Sequence, residues 1–296
     1  MEIEKKRSFD FLGKRKIAFV VSAVLVILGL VAAVSIPLGK ANLGTDFSGG
    51  VSVQLRFEKH VSIDSVRDFL KGGGFSDANL QEFSGSNSLL VRVKRSGDLS
   101  GVADSIGEVF KKNMPDNPFQ VELKAEVGPA VGKKLQKDAL WAVAISLLGI
   151  LLYVAWRFEF RFGVAAVAAT FHDVLAILGV LFVLNKEINL LIITALLTLA
   201  GYSLTDTVVV FDRIRENLRK HTKEGFSSLI NRSVNEVLTR TMITSGTTLL
   251  SLVALLILGG AVIRDFSLAL FLGIIVGTYS SIFIASPLLL LWKGKK

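Results

Sequence analysis

The chain has 296 residues, 51% of them hydrophobic, with a mean hydropathy of +0.55 and a net charge of +9. That apolar content excludes an ordinary soluble domain and points to a membrane protein with charged loops. The absence of cysteine excludes disulfides, thiolate catalysis and cysteine–metal sites, and three dispersed histidines (His60, His172 and His221) argue against a bound metal.

A basic tail, residues 1–16, precedes an uncharged run of twenty residues, 17–36, long enough at ~1.5 Å per residue to cross a hydrocarbon core of ~30 Å. Basic residues before it and Ala32-Ala33 within it imitate a secretory signal, but its length and the spans that follow make it an uncleaved anchor. Residues 37–138 then read as one folded α+β domain. Val51–Glu58 alternates as a half-buried strand, Ser62 starts a helix to Lys71, and Gly72-Gly73-Gly74 stops it. Strands near Ala78–Phe83 and Ser88–Val93 flank a hairpin turn at Gly85-Ser86-Asn87, a second helix covers Leu99–Asn113, and Phe119–Val127 alternates again. The order βαββαβ predicts a ferredoxin-like domain with no catalytic constellation, suited to docking or to contacting a substrate.

Five further apolar runs follow: 139–156, 163–184, 188–211, 241–263 and 266–292. Backbone polar groups in lipid must bond within their own segment, so the expected fold is a six-helix polytopic bundle carrying the small domain between spans one and two. Short loops and tails on one side (residues 1–16, 157–162, the loop 212–240 and the tail 293–296) hold eighteen Lys and Arg, against two on the other side. This asymmetry places both termini in the cytoplasm and residues 37–138 outside. It also accounts for the positive charge without a nucleic-acid partner, since the basic residues do not gather on one face.

An ionisable side chain inside a span costs roughly 2.5–3.5 kcal/mol to insert, so each one is a functional candidate. Asp206 shares a helical face with Thr198, Tyr202, Ser203 and Arg213. It can exchange a proton or serve as hydrogen-bonding glue between helices. Arg240 enters the fifth span from the side at which the fourth leaves, and heads a hydroxyl stripe of Thr244, Thr247, Thr248 and Ser251. It is a charge partner for Asp206 or an anchor reaching the headgroups. His172-Asp173 breaks the third span, with Ala165, Ala169 and Ala176 on the face of Asp173, so the acid is a second relay group or a structural hydrogen-bonder. Gly273 and Gly277 signal close helix packing, and residues 212–236 read as a solvated amphipathic helix.

Gly44-Thr45-Asp46-Phe47-Ser48-Gly49-Gly50, just after the first span, resembles the opening motif of the SecD/SecF family of bacterial protein-export membrane subunits. The eighteen residues from Ala200 to Asn217, AGYSLTDTVVVFDRIREN, closely resemble the signature of its SecF branch, as do Phe171-His172-Asp173 and Leu238-Thr239-Arg240-Thr241. The resemblance covers the whole chain. Thr205 departs from it, since many relatives carry asparagine there. What it implies is an accessory role beside SecD in the Sec pathway of the inner membrane. Protons moving down their gradient would help to pull preproteins from the SecY-SecE-SecG channel, with no cofactor other than the coupling ion. Carried over residue by residue, Asp206 is the proton-binding carboxylate and Arg240 its charge partner, with Thr244, Tyr202, Ser203 and Asp173 nearby. The motif positions are Gly44, Asp46, Phe47, Gly49 and Gly50, then Asp212 and Arg213. Two other functions stand beside this one: a proton-driven exporter of small molecules or lipids from the resistance-nodulation-division superfamily, and a scaffold without transport. No nucleophile, metal or phosphate-binding constellation suggests an enzyme.

Overall fold

The computed structural model describes residues 9–83, 87–94, 99–220, 224–259 and 261–292. Its long helices are α1 (Arg15–Ser35), α5 (Pro129–Arg157), α6 (Phe160–Val183), α7 (Leu190–Arg219), α8 (Phe226–Leu258) and α9 (Ala261–Ser280). Six segments are long and apolar enough to cross a membrane, the last being Ile263–Leu291. Several helices run past the charge-free stretches. α5 starts ten residues before Ala139, and α7 and α8 continue through residues 212–219 and 226–236, which the sequence reading assigned to a separate amphipathic helix. The last span is interrupted by a π-turn, Ser281–Ala285, just before Pro287, which has no N–H to donate to the carbonyl four residues back.

The chain divides into two compact units. The first comprises residues 1–42, 142–186 and 191–296. α6 is its most enclosed helix, with Ala165, Ala169, Asp173 and Ala176 fully buried. α1 lies against it at backbone distance. A Cβ on Gly29 would stand 2.2 Å from the Leu175 carbonyl oxygen, and one on Gly179 would stand 2.5 Å from the Gly29 nitrogen. Gly273 and Gly277 of α9 make room instead for side chains of α7, where added Cβ atoms would meet the Leu199 side chain at 2.7 Å and that of Ser203 at 3.1 Å. At one end an aromatic cluster of Phe158, Phe162 and Phe211 closes the core, the last two edge-to-face at 5.1 Å. The approach to α1 is pinned there as well. Asn235 Oδ1 accepts the Phe9 N–H at 2.8 Å, Asn231 Oδ1 accepts the Phe11 N–H at 2.9 Å, and both side-chain amides donate to the Phe9 carbonyl. By contrast, α1, α5 and α8 leave large apolar residues exposed, among them Val24, Leu152 and Leu250, as helices bordering lipid or another subunit do.

The second unit comprises residues 43–141 and 187–190. It holds α2 (Thr45–Ser48), β1 (Gly50–Phe57), α3 (Ile63–Gly72), β2 (Asn79–Glu82), β3 (Ser88–Val93), α4 (Val102–Asn113) and β4 (Phe119–Val127). The antiparallel sheet has the order β2-β3-β1-β4, in agreement with the expected βαββαβ arrangement. Val51, Val53, Leu55 and Phe57 of β1 meet Val66 and Leu70 of α3 and Ile106 and Phe110 of α4 in one core. Two local expectations change. Ser62 occupies the N-cap of α3 but its side chain makes no capping bond. The alternating apolar residues of the edge strand β4 do not share one face: the register shifts at Gln54/Leu55, Phe119 packs against the core, and Val121 is 56% and Leu123 45% exposed. Most of the expected turn (Gly85 and Ser86), the extreme tails and His221 lie outside the described residues.

Candidate functional site

Asp206 lies in the middle of α7, where three apolar turns precede it and Val208, Val209 and Val210 follow, so nothing local competes with the helix. It is 5% exposed. Ser245 of α8 donates to Asp206 Oδ2 at 3.4 Å, and the same hydroxyl bonds Thr278 of α9 at 2.7 Å. Three helices therefore converge on one carboxyl through two hydroxyls. Arg240, five residues before Ser245, is exposed and makes no ion pair with Asp206. The contact expected between the two side chains is not formed.

The other residues anticipated around Asp206 fall into separate groups. Ser203 turns away from it and donates to Asp173 Oδ2. Asp173 is fully buried and also accepts from Ser280 at 2.7 Å, while its Oδ1 meets His172 Nδ1 at 2.8 Å. His172 Nε2 is buried with no partner. This cluster ties α6, α7 and α9 together, and its bonds do not reach Asp206. The Tyr202 hydroxyl donates to the Thr244 carbonyl and meets Thr248 Oγ1, both at 3.2 Å, joining α7 to α8. The Thr244 hydroxyl bonds the Arg240 carbonyl of its own helix at 3.0 Å.

Where α7 and α8 leave their apolar stretches, charges hold them together. Arg213 donates to Glu236 and Glu216, both at 2.6 Å, and Asn217 donates to Ser233 at 2.9 Å and Glu236 at 2.7 Å. Burial pushes the Glu236 carboxyl up, but the bonds from Asn217 and Arg213 outweigh it and hold it below its ordinary range. Lys220 and then Arg213 lower Glu216 in the same way. Asp212 faces Arg157 at a loose 3.5 Å.

The glycine-rich motif serves the second unit. The Gly44 N–H bonds the Ile188 carbonyl at 2.9 Å, and Asp46 Oδ2 accepts the Leu190 N–H at 3.0 Å. Phe47 is buried, and its carbonyl accepts Gln136 Nε2 at 2.9 Å. Gly49 and Gly50 have φ of +74° and +134°, and a Cβ on Gly50 would lie 2.2 Å from the Val93 carbonyl oxygen. These residues shape a chain reversal into β1.

Sequence reasoning missed Ser245, Thr278 and Ser280. Counting i+4 from Arg240 selects Thr244, whereas the buried face of α8 runs through Thr241, Ser245 and Leu252. Thr278-Tyr279-Ser280-Ser281, a four-residue polar run inside an apolar span, was the available signal. Among the described residues no group of three His, Asp or Glu side chains is placed to hold a metal.

The family described as protein export membrane protein SecD/SecF, C-terminal, matches residues 107–295, and the SecD/SecF GG motif matches residues 34–60. The chain is 50% identical over 293 residues to the protein translocase subunit SecF of Thermodesulfovibrio yellowstonii, covering 98% of this chain and 97% of that one. It is 41% identical over 291 residues to that of Vibrio alginolyticus, covering 97% and 91%. The crystal structure of SecDF, a translocon-associated membrane protein from Thermus thermophilus, matches with a TM-score of 0.84 at 38% identity. That match covers 100% of this chain but only 40% of the Thermus chain.

Proposed function

The chain belongs to the SecD/SecF family of protein-export membrane proteins, and from that premise we propose that it couples proton movement to preprotein export as a SecF-type subunit. Its partners in this reading are SecD, the SecY-SecE-SecG channel and the preprotein emerging from it. The match to part of a longer SecDF chain supports the pairing with SecD, whose helices would supply what a single half lacks. The positive-inside asymmetry supports cytoplasmic termini in the bacterial inner membrane and a domain on the far side, where a translocating chain emerges. The subunit is a coupling device rather than an enzyme.

The observation that carries the reading is the carboxyl of Asp206, buried between hydroxyls from two other helices and beside a cation that does not touch it. With a proton bound, the neutral carboxyl is satisfied by Ser245 and the Ser245–Thr278 pair. With the proton released, two hydroxyls compensate a carboxylate poorly, and the charge turns to Arg240. Changing partners in this way shifts α7 against α8 and α9, and Tyr202 and Thr244 lie along that seam. One proton crossing 100 mV supplies about 2.3 kcal/mol, enough to move a two-state ratio from roughly 1:7 to 7:1. Asp173 is the structural tie of α6 in this scheme, and the proton path is completed by SecD.

The test is gradient-dependent release of a preprotein from vesicles containing the channel, SecD and this subunit. Asp206→Asn abolishes the stimulation by the proton gradient and leaves the gradient-independent rate intact. Wild-type stimulation in that variant would refute the proposal.

A further inference from the structure

A cleft of about 470 Å³ opens beside the end of α5, lined by Arg157, Arg215, Arg219 and Lys220 with Asp212 and Glu216. Four cations against two acids leave an excess of two positive charges. The internal pairing is uneven. Lys220 holds Glu216 at 2.8 Å, but Arg157 reaches Asp212 only at 3.5 Å. Arg215 donates to the Arg157 carbonyl at 3.4 Å, so its charge stays uncompensated, and among the described residues Arg219 has no acidic partner. Guanidinium groups offer a fork of donors matched to phosphate oxygens, which suits an anion held by several of them together.

The setting of the cleft narrows the anion's identity. Trp156, adjacent to Arg157, is 85% exposed, and Phe160, at the start of α6, is 71% exposed. Exposed aromatics at the end of an apolar helix mark the headgroup level of a bilayer, and basic pockets between membrane helices at that level suit anionic headgroups. A soluble phosphate would use the arginines but leave the aromatic flank unused.

We propose that this cleft binds the phosphate of an anionic phospholipid, with Arg157, Arg215 and Arg219 around the phosphodiester and the acyl chains running past Trp156. The site is distinct from Asp206 and requires no proton movement.

The probe is brominated lipid, which quenches tryptophan on contact. The full chain with Trp141→Phe and Trp292→Phe, leaving Trp156 alone, is reconstituted in bilayers containing brominated phosphatidylglycerol or, at equal fraction, brominated phosphatidylcholine. At about 1 kcal/mol per basic residue near the surface, two uncompensated arginines give the anionic lipid a roughly thirty-fold preference at Trp156. Arg215→Gln with Arg219→Gln brings the preference close to one, and quenching by the zwitterionic lipid stays unchanged, showing that α5 remains seated. Arg215→Lys with Arg219→Lys keeps part of it. In the unsubstituted cleft the preference falls as salt rises. Equal quenching by the two lipids overturns the proposal, and so does its abolition by millimolar inorganic phosphate, which would make the site one for a soluble anion.

Discussion

Replacing Asp173 by alanine removes the acceptor shared by His172, Ser203 and Ser280. Interhelical hydrogen bonds within membrane bundles average ~0.6 kcal/mol, so losing those from Ser203 and Ser280 comes to about 1 kcal/mol. Donors left without a partner add to this, at roughly 1–3 kcal/mol for each one fully stranded. Two of the three are partly relieved. The Ser280 hydroxyl already shares the Gly277 carbonyl at 3.1 Å, and Ser203 can turn to a carbonyl of its own helix. His172 cannot, because its other ring nitrogen is buried without a partner. The expected loss is therefore about 2–4 kcal/mol, or roughly 5–12 °C in thermal midpoint for a chain of this size, read by scanning fluorimetry in detergent. Asp173→Asn loses about 1 kcal/mol or less, because its carbonyl can accept from both serines while its amide donates to His172 Nδ1. If alanine melts within about 1 °C of the parent, the cluster does not hold α6, α7 and α9 together and the reasoning fails.

Gly50→Ala places a Cβ against the Val93 carbonyl at a φ that side chains rarely adopt, and limited proteolysis should show residues 43–141 cut faster while the remaining helices stay protected. Because the Glu216 and Glu236 carboxyls are held below their ordinary value of 4.5, their stabilisation of the polar ends of α7 and α8 is complete above that value and disappears as pH falls through their folded values. Hydrogen exchange across residues 212–236 should accelerate in that acid window, and Arg213→Gln should flatten the dependence.

The helices and the buried acids were legible for one reason: charge is so costly in lipid that its absence marks a span and its presence marks a candidate site. The same logic says nothing about where a helix stops once it leaves the apolar layer. α7 and α8 continue because Arg213, Asn217, Ser233 and Glu236 meet across them, a long-range pairing that periodicity does not register. Hydroxyls were harder to assign. Serine and threonine bond their own helix at little cost, as Thr244 does, so a stripe of them does not announce which member faces the neighbour. One residue is a rotation of ~100°, which separates Thr244 from Ser245 and the anticipated site from the observed one. The order of elements in the second unit could be read because β1 and β4 alternate in sequence and Gly72-Gly73-Gly74 stops the helix between the first strands, whereas the exposure of Val121 and Leu123 depends on β4 being an edge.

Proton flux into vesicles that hold this chain with SecD is the most direct measure of the central claim. Asp206 as the coupling carboxyl predicts that an imposed gradient drives a flux through the parent complex and that Asp206→Asn reduces it to the leak of empty vesicles. A flux in Asp206→Asn equal to that of the parent would contradict the account.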